Sequence, residues 1–318
     1  MEKFSWLYVG NGSIAKQTAF TVTRGNHRIS CVFGRNEEKV KAFAKKYGAK
    51  AYTDYDAALK SGDFDAVYIA TPHTSHKDYA VRALKAGFPV LCEKPVGVRS
   101  DEVEEIIFAA EKNGVYFCEA MWTWFSDVAL TVKEWVNDGA VGEITDVTAF
   151  YKFPGLMLSK SSRVRTPSTA GGALLDVGIY PITYCLNLFG YPDKIECSGT
   201  LRDGIDINET VYLHYGGFKC TLEIGLDSLK EGFKINGKNG KINVPMFHMA
   251  SRASLSGAVS RTYRGSTNYL KEFDCVAREI REGKTQSEFI PFSRTRESIK
   301  IMDECRRQLG LRYPFEEE

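Results

Sequence analysis

Two arrangements of strands divide this chain and predict its fold class. In residues 1–121, short apolar segments alternate with amphipathic helical segments, which is typical of an α/β domain with a doubly wound parallel sheet. In residues 122–318, several strands follow one another without helices between them, which is typical of an α+β domain with a mostly antiparallel sheet. We therefore predict an N-terminal α/β domain and a C-terminal α+β domain.

In the N-terminal domain, apolar runs that end at turn residues predict the strands of the parallel sheet. The predicted strands cover residues 6–9, 28–33, 65–70, 90–92 and 115–118. Between the second and third of them, apolar residues at helical spacing predict a helix that Asn36 caps and Gly48 ends. Further helices are predicted after the first strand and over residues 76–86 and 101–113.

In the C-terminal domain, one helix is predicted before the first strand, one between the first and second strands, and two after the last strand. The strands cover residues 144–153, 195–201, 209–215, 218–225, 233–236 and 241–244. The helices cover residues 128–137, 171–190, 266–282 and 293–309. Residues 154–169 are predicted to form an irregular polar loop, and residues 245–265 show no pattern that predicts an element.

The composition indicates a folded protein whose partners are small molecules. The hydrophobic fraction is 43%, the formal net charge is +2 and no basic stripe is present, so nucleic acid is not an expected partner. No run approaches the roughly 20 apolar residues of a membrane span, and the first residues lack the apolar stretch of a signal peptide. We expect a cytoplasmic protein without a membrane partner and, since its eight cysteines form no Cys-x-x-Cys pair, without structural disulfides.

A glycine-rich turn follows the first predicted strand and precedes a predicted helix. The turn consists of Gly10, Asn11, Gly12, Ser13, Ile14 and Ala15. Glycines at such a junction let the backbone turn tightly and approach a pyrophosphate, while the helix N-terminus offers unpaired N–H groups to the anion. In this context the turn predicts a Rossmann domain that binds a dinucleotide, and a plain tight turn is the alternative.

The residues after the second strand predict which dinucleotide is bound. Gly34, Arg35 and Asn36 include no carboxylate that would repel a 2′-phosphate, and Arg35 can pair with one. Lys39 adds positive charge one helical turn later. We predict NADP(H) as the preferred cofactor, and NAD(H) with Arg35 stacked on its adenine is the alternative.

Further cofactor contacts are expected at the carboxyl ends of the next two strands, because ligands of open α/β sheets bind at that edge. The residues there are Thr71, Pro72, His73, His76, Glu93 and Lys94. His76 has the alternative role of capping the helix that follows. The spacing of His73 and His76 would suit two metal ligands, but no carboxylate or thiol completes a set, so no metal is predicted.

Three separated motifs make the chain resemble one family. They are residues 10–15, Glu93-Lys94-Pro95 and the run from Gly171-Gly172 to Pro181. With the two-domain layout, they make the chain similar to the Gfo/Idh/MocA oxidoreductases over nearly its whole length. Two features resemble the branch of dimeric dihydrodiol and aldose dehydrogenases. One is Tyr180, at a position where many sugar and inositol members carry histidine, and the other is the run of residues 119–122. The resemblance implies a nicotinamide cofactor, an open mixed C-terminal sheet, a cis bond before Pro95 and a homodimer.

The resemblance also implies an acid/base group, because hydride transfer from an alcohol requires loss of the hydroxyl proton. A free phenol has a pKa of about 10, and an adjacent ammonium such as that of Lys94 would lower it. Tyr180 is therefore the predicted acid/base, assisted by Lys94. Asp176, one helical turn before Tyr180, is predicted to orient Lys94 or to bind a substrate hydroxyl. The alternatives are that Lys94 is a solvated surface lysine, that Asp176 is a surface charge of the helix, and that Tyr180 packs in the core.

The predicted substrate pocket adds further side chains to Asp176 and Tyr180. These are Trp122, Phe153 and Arg163, of which the two aromatic residues could equally be core. The predicted function is an NADP(H)-dependent oxidoreductase acting on a secondary alcohol or carbonyl of a sugar, polyol or cyclic diol. The alternatives are a non-catalytic NAD(P)-binding redox sensor on the same scaffold and a hydride-dependent lyase or glycosidase.

Overall fold

The computed structural model describes residues 2–258 and 260–316, and it separates into two compact units. The first unit comprises the chain up to Gly97, Asp101–Trp122 and Asn268–Thr295. The second unit comprises Val98–Ser100, Thr123–Thr267 and the chain from Arg296 onward. The units are discontinuous in sequence, whereas the predicted domains were continuous and met between residues 121 and 122. Position 1 of the predicted first domain and positions 259, 317 and 318 of the predicted second domain lie outside the described residues.

The first unit contains a six-stranded sheet in which every pair of neighbouring strands is parallel. Its strands are β1 (Phe4–Val9), β2 (His27–Phe33), β3 (Lys50–Tyr52), β4 (Ala66–Ile69), β5 (Val90–Glu93) and β6 (Phe117–Ala120). Their order is β3-β2-β1-β4-β5-β6, so the direction of winding reverses between β1 and β4. The predicted doubly wound parallel sheet is confirmed, and its switch point lies where the glycine-rich turn begins.

In the part of the second unit that the structure describes, an eight-stranded sheet is formed in which β7 and β10 pair in parallel and the other neighbouring strands pair antiparallel. Its strands are β7 (Ile144–Lys152), β8 (Lys194–Arg202), β9 (Ile205–Tyr215), β10 (Phe218–Gly225), β11 (Lys230–Gly237), β12 (Gly240–Val244), β13 (Arg252–Gly257) and β14 (Arg261–Arg264). The order is β14-β13-β12-β11-β7-β10-β9-β8, with β14 and β8 at the two edges. The predicted open, mostly antiparallel sheet is therefore confirmed.

Most helices begin and end close to their predicted positions, but the helix over Tyr55–Ser61 was not predicted, and the predicted helix 171–190 is an α-helix only over Ile179–Phe189. The helices are α1 (Ser13–Val22), α2 (Glu37–Tyr47), α3 (Tyr55–Ser61), α4 (His76–Lys85), α5 (Ser100–Asn113), α6 (Asp127–Asn137), α7 (Ile179–Phe189), α8 (Tyr269–Arg281) and α9 (Phe292–Leu309). Asn36 caps α2 by accepting a hydrogen bond from the Lys39 N–H, and Gly48 ends it in the left-handed conformation, as predicted. In α8, the apolar side chain of Phe273 is fully buried against Trp6 and Tyr68, which explains why this segment returns to the first unit.

The helical stretch Pro167–Phe189 corrects one expectation from the sequence. Within the described residues, it alone is long and apolar enough to cross a membrane, although no run of that kind was predicted. In the structure 89% of its apolar window is buried inside the protein. Its final part, α7, packs on the second sheet, where the Tyr184 ring lies 4.5 Å from the Phe233 ring, between centroids. The apolar surface of this stretch is thus covered by the protein's own core.

Candidate active site

The glycine-rich turn forms a tight cradle between β1 and α1. Gly10 has a φ of +107°, and a Cβ there would lie 2.6 Å from the carbonyl oxygen of Ala70, so only glycine fits. Gly12 is the N-cap of α1; among the described residues, no side chain caps this helix and no atom would lie within 4 Å of a Cβ at Gly12. The Nδ2 of Asn11 is buried without a hydrogen-bond partner among the residues that the structure describes. An uncapped helix start beside open space and an unused donor fit a bound phosphate.

The loop after β2 presents its charged side chains to solvent. Gly34 packs beside this cradle, because a Cβ there would lie 3.6 Å from the Asn11 Nδ2 and 2.7 Å from Val40. Arg35 and Lys39 are exposed. The side chain of Asn36 is engaged as the cap of α2. Arg35 and Lys39 are therefore the predicted cofactor residues here that can present positive charge to a ligand.

The end of β4 is joined to the turn after β5 by a buried histidine. His76 is fully buried, and its Nδ1 and Nε2 lie 2.9 Å from the Pro95 carbonyl oxygen and 2.8 Å from the Thr71 carbonyl oxygen. The alternative role of His76 as the cap of the helix that follows is not observed, since Ser75 holds the N-cap position of α4. His73 is also buried, in a short turn that follows Pro72. Within the described residues, no cluster of histidine, cysteine or carboxylate side chains could hold a metal.

The turn after β5 carries Lys94. The Lys94–Pro95 peptide bond is cis, as the resemblance implied. Glu93 is buried and accepts a 2.6 Å hydrogen bond from the hydroxyl of Tyr68. Burial raises the pKa of Tyr68 well above its usual value, so this phenol remains a donor. The carboxylate of Glu93 is thus oriented from inside the sheet rather than by solvent.

A second carboxyl group near Lys94 was not predicted. Glu119 on β6 lies directly opposite Cys92 of β5, and only 2% of it is exposed. Burial raises the pKa of Glu119 to about 7, against the lowering effects of the Thr295 hydroxyl and the charge of Lys94. The signal in the sequence is a single carboxylate inside an apolar strand of a parallel sheet, because a charge seldom stays there without a specific partner.

In the second unit, two glycines hold a loop and a strand against the start of the helical segment before α7. A Cβ at Gly171 would lie 2.7 Å from the carbonyl oxygens of Arg163 and Val164. Gly172 has a φ of +130°, and a Cβ there would lie 1.9 Å from Oδ1 of Asp206. Oδ2 of Asp206 accepts a 2.6 Å hydrogen bond from the Leu174 N–H. The glycine pair therefore lets a buried carboxylate cap this segment.

We expect Gly172→Ala to lower the free energy of unfolding by about 2–5 kcal/mol, because it combines a left-handed φ with a steric clash. Urea denaturation of the purified variant measures this loss. Gly216→Ala is the matched control, since a Cβ at Gly216 would meet no atom of the described residues within 4 Å and the φ of Gly216 lies outside the left-handed region. Equal stability of the two variants would contradict the conclusion that the contact with Asp206 requires glycine at position 172.

The glycine pair is followed by a π-helical turn, Leu174–Gly178, and then by α7, which carry the predicted catalytic residues of this unit. Oδ1 of Asp176 accepts a 2.7 Å hydrogen bond from the Arg163 guanidinium, with 13% and 35% of these side chains exposed. The sequence predicted both residues as substrate ligands but not that they pair with each other. The pair forms because the loop that carries Arg163 is held at Gly171.

Tyr180 lies on the face of α7 that packs on the second sheet, and 8% of it is exposed. Its ring centroid is 5.4 Å from that of Tyr151 and 5.5 Å from that of His248. His248 in turn contacts Glu231, with 2.7 Å between Nδ1 and Oε1. Tyr151, Glu231 and His248 were not predicted as site residues, because their proximity depends on how strands distant in sequence pair.

The two predicted aromatic pocket residues have different surroundings. Trp122 is stacked on Tyr269 within the first unit, with 4.5 Å between ring centroids and 24° between ring planes. Phe153 follows β7, is half-buried, and its N–H donates to the Gly225 carbonyl oxygen. Their roles toward a substrate stay predictions.

The first unit thus has a glycine-rich turn that fits a phosphate, and the second has a buried phenol four residues after an ion-paired carboxylate. These features are compatible with an NAD(P)-binding oxidoreductase. Comparison with known proteins agrees. The profile "Oxidoreductase family, NAD-binding Rossmann fold" matches residues 4–120, and the profile "GFO/IDH/MocA C-terminal domain" matches residues 129–243. The chain belongs to the Gfo/Idh/MocA family of oxidoreductases, which confirms the resemblance.

Two relatives match over most of their length and of this chain. The scyllo-inositol 2-dehydrogenase (NADP(+)) IolU of Bacillus subtilis is 31% identical over 91% of this chain and 92% of its own. The trans-1,2-dihydrobenzene-1,2-diol dehydrogenase of Mus musculus is 28% identical over 97% and 98%. Among solved structures, the aldose-aldose oxidoreductase from Caulobacter crescentus has a TM-score of 0.88 at 19% identity, covering 97% of this chain and 98% of its own, which shows a shared fold.

Proposed function

We propose that this protein is an NADP(H)-dependent oxidoreductase that transfers a hydride between nicotinamide and a secondary alcohol or carbonyl of a sugar, polyol or cyclic diol. One observation carries the proposal most strongly. On the segment that begins at the glycine pair, Tyr180 is held almost fully buried, and Asp176 four residues before it is paired with Arg163. The names of two relatives, one an NADP(+)-dependent scyllo-inositol dehydrogenase and the other a diol dehydrogenase, support this substrate class.

The proposed division of labour follows from the chemistry of each side chain. A bound nicotinamide ring supplies the hydride acceptor or donor. Tyr180 exchanges the proton of the substrate hydroxyl, and the ammonium of Lys94 favours the phenolate form and polarises the substrate oxygen. Asp176 can accept and Arg163 can donate hydrogen bonds, so the pair is suited to neighbouring hydroxyl groups of a polyol. Both units must act on one substrate molecule for this mechanism to operate.

The first test is turnover in the presence of each cofactor. Purified protein is mixed with NADP+ or NAD+ and with scyllo-inositol, trans-diols and aldoses, and reduced nicotinamide is followed by its absorbance. We expect turnover with at least one polyol, faster with NADP+. Cofactor binding without turnover on any member would favour the redox sensor, and a product without net oxidation would favour a lyase or glycosidase.

Arg35→Ala is expected to weaken NADP binding by about 10-fold or more and NAD binding much less, because a guanidinium–phosphate pair is lost only with NADP. Isothermal titration with both cofactors measures the two affinities. Lys41→Ala is the matched control, since Lys41 is an exposed cation of α2 that pairs with Glu37. Equal losses for NADP and NAD in Arg35→Ala would contradict the phosphate role.

A homodimer in the cytoplasm remains part of the proposal. Its support is the family resemblance together with the exposed edge strand β8, on which Leu201 is 39% exposed. Light scattering coupled to size-exclusion chromatography measures the mass of the protein in solution. A mass of 35.6 kDa, that of one chain, would contradict the dimer.

A further inference from the structure

Strand pairing places an aromatic ring and a carboxylate side by side beneath α7. Tyr151 of β7 and Glu231 of β11 lie directly opposite each other in the antiparallel register. Opposite residues project from the same face of a sheet, and their side chains are neighbours. The contact between Tyr151 and Tyr180 shows that this is the face that α7 covers.

Glu231 holds His248 by two contacts to the same oxygen. Oε1 of Glu231 accepts a 3.0 Å hydrogen bond from the backbone N–H of His248 and lies 2.7 Å from its Nδ1. Both side chains are largely buried, with 10% of Glu231 and 17% of His248 exposed. A carboxylate can only accept, so Nδ1 carries the proton and the ring plane is fixed. The imidazole is also stacked on Tyr151, with 4.7 Å between centroids and 27° between planes.

The turn that carries His248 is anchored in the core beside it. Phe247 is 1% exposed and contacts Tyr184 and Phe233, with ring centroids 5.3 Å and 5.7 Å away. Tyr184 lies one helical turn after Tyr180 on the same face of α7. The backbone of the turn, the carboxylate and the aromatic stack therefore leave the imidazole a single position.

The held imidazole contacts Tyr180. The two rings meet edge to face, with centroids 5.5 Å apart and planes 69° apart, and Tyr151 closes a second side of the phenol ring. We propose that His248, oriented by Glu231, is a positioning residue that fixes the ring of Tyr180 for proton exchange. The proposal rests on the proposed role of Tyr180 as acid/base. It gives a role to His248, which lies in the segment 245–265 for which the sequence predicted no element.

The test compares variants of His248 and Glu231 in the wild-type protein and in the Tyr180→Phe background. We expect His248→Ala and Glu231→Ala to lower kcat by about 10–100-fold, as small misplacements of catalytic groups do, while KM and NADP affinity change little. Glu231→Gln retains an acceptor oxygen for both N–H groups, so it should retain most of the activity. In the Tyr180→Phe background, His248→Ala should cause no further loss, because it acts through the phenol. A crystal structure of His248→Ala should show the Tyr180 ring displaced.

Any of four outcomes would overturn the proposal. They are wild-type kcat in His248→Ala, a further loss of kcat when His248→Ala is added to Tyr180→Phe, equal losses of kcat in Glu231→Gln and Glu231→Ala, and an unmoved Tyr180 ring in the crystal structure of His248→Ala. The control is His214→Ala, which removes the histidine of another His–Glu pair of this unit, His214 and Glu196, and should be fully active. Full activity of Tyr180→Phe would contradict the proposed acid/base role of Tyr180, on which this proposal rests. An impaired Tyr180→Phe with a fully active His248→Ala would overturn this proposal alone.

Discussion

Replacing Tyr180 by phenylalanine is expected to lower kcat by about 100-fold or more while leaving NADP affinity unchanged. General acid–base groups contribute about 10²–10⁴-fold to a rate, and the substitution removes only the hydroxyl to which we assign the proton exchange. The ring contacts with Tyr151 and His248 depend on the aromatic ring, so the fold should be retained. Steady-state kinetics and cofactor titration on the same preparation measure both quantities.

Tyr184→Phe is the matched control for this experiment. Tyr184 lies on the same helix and is fully buried, and its hydroxyl has no hydrogen-bond partner among the described residues. Burial raises the pKa of Tyr184, so this phenol is neutral and its loss should leave kcat unchanged. Normal turnover in Tyr180→Phe, or equal losses in the two variants, would exclude Tyr180 as the acid/base.

Replacing Lys94 by methionine is expected to lower kcat by about 100-fold or more and to change its pH dependence. In the proposed mechanism the ammonium of Lys94 favours the phenolate of Tyr180, so its removal should raise the pKa of this phenol. For alcohol oxidation, the rising limb of the pH profile should therefore move to higher pH. Profiles of kcat/KM for the wild type and the variant measure this shift.

Lys85→Met provides the control, because it removes an exposed ammonium from α4. It should keep the pH profile of the wild type. A Lys94→Met variant that loses activity with an unchanged profile would contradict the electrostatic role of Lys94. A fully active Lys94→Met variant would contradict its participation altogether.

The sequence predicted most of the first unit because its signals are local. Apolar runs matched to buried strands, and the roles of Asn36 and Gly48 at the ends of α2 follow from their own chemistry. The elements β3 and α3 were missed, since β3 is three residues long and mostly exposed. A signal for α3 was available, because Asp54 caps it by accepting from the Ala57 N–H and Gly62 ends it in the left-handed conformation.

In the second unit, the missed features depend on contacts between distant segments. The strands β13 and β14 were not predicted because Ser and Arg side chains obscure their alternation, and β14 has no fully buried residue. The pairing of Asp176 with Arg163 requires the close packing at Gly171. The contact of His248 with Glu231 requires the register of β7 with β11. Local patterns of residues carry no information about either.

Hydride transfer is tested most directly by following an isotope from substrate to cofactor. The protein is incubated with NADP+ and a polyol, chosen from the substrate panel, that carries deuterium on the carbon of its reacting alcohol. The reduced cofactor and the product are then analysed by mass spectrometry. We expect one deuterium in the NADPH and none at the ketone carbon of the product. Unlabelled NADPH, or no NADPH with any polyol of the panel, would contradict the proposed function.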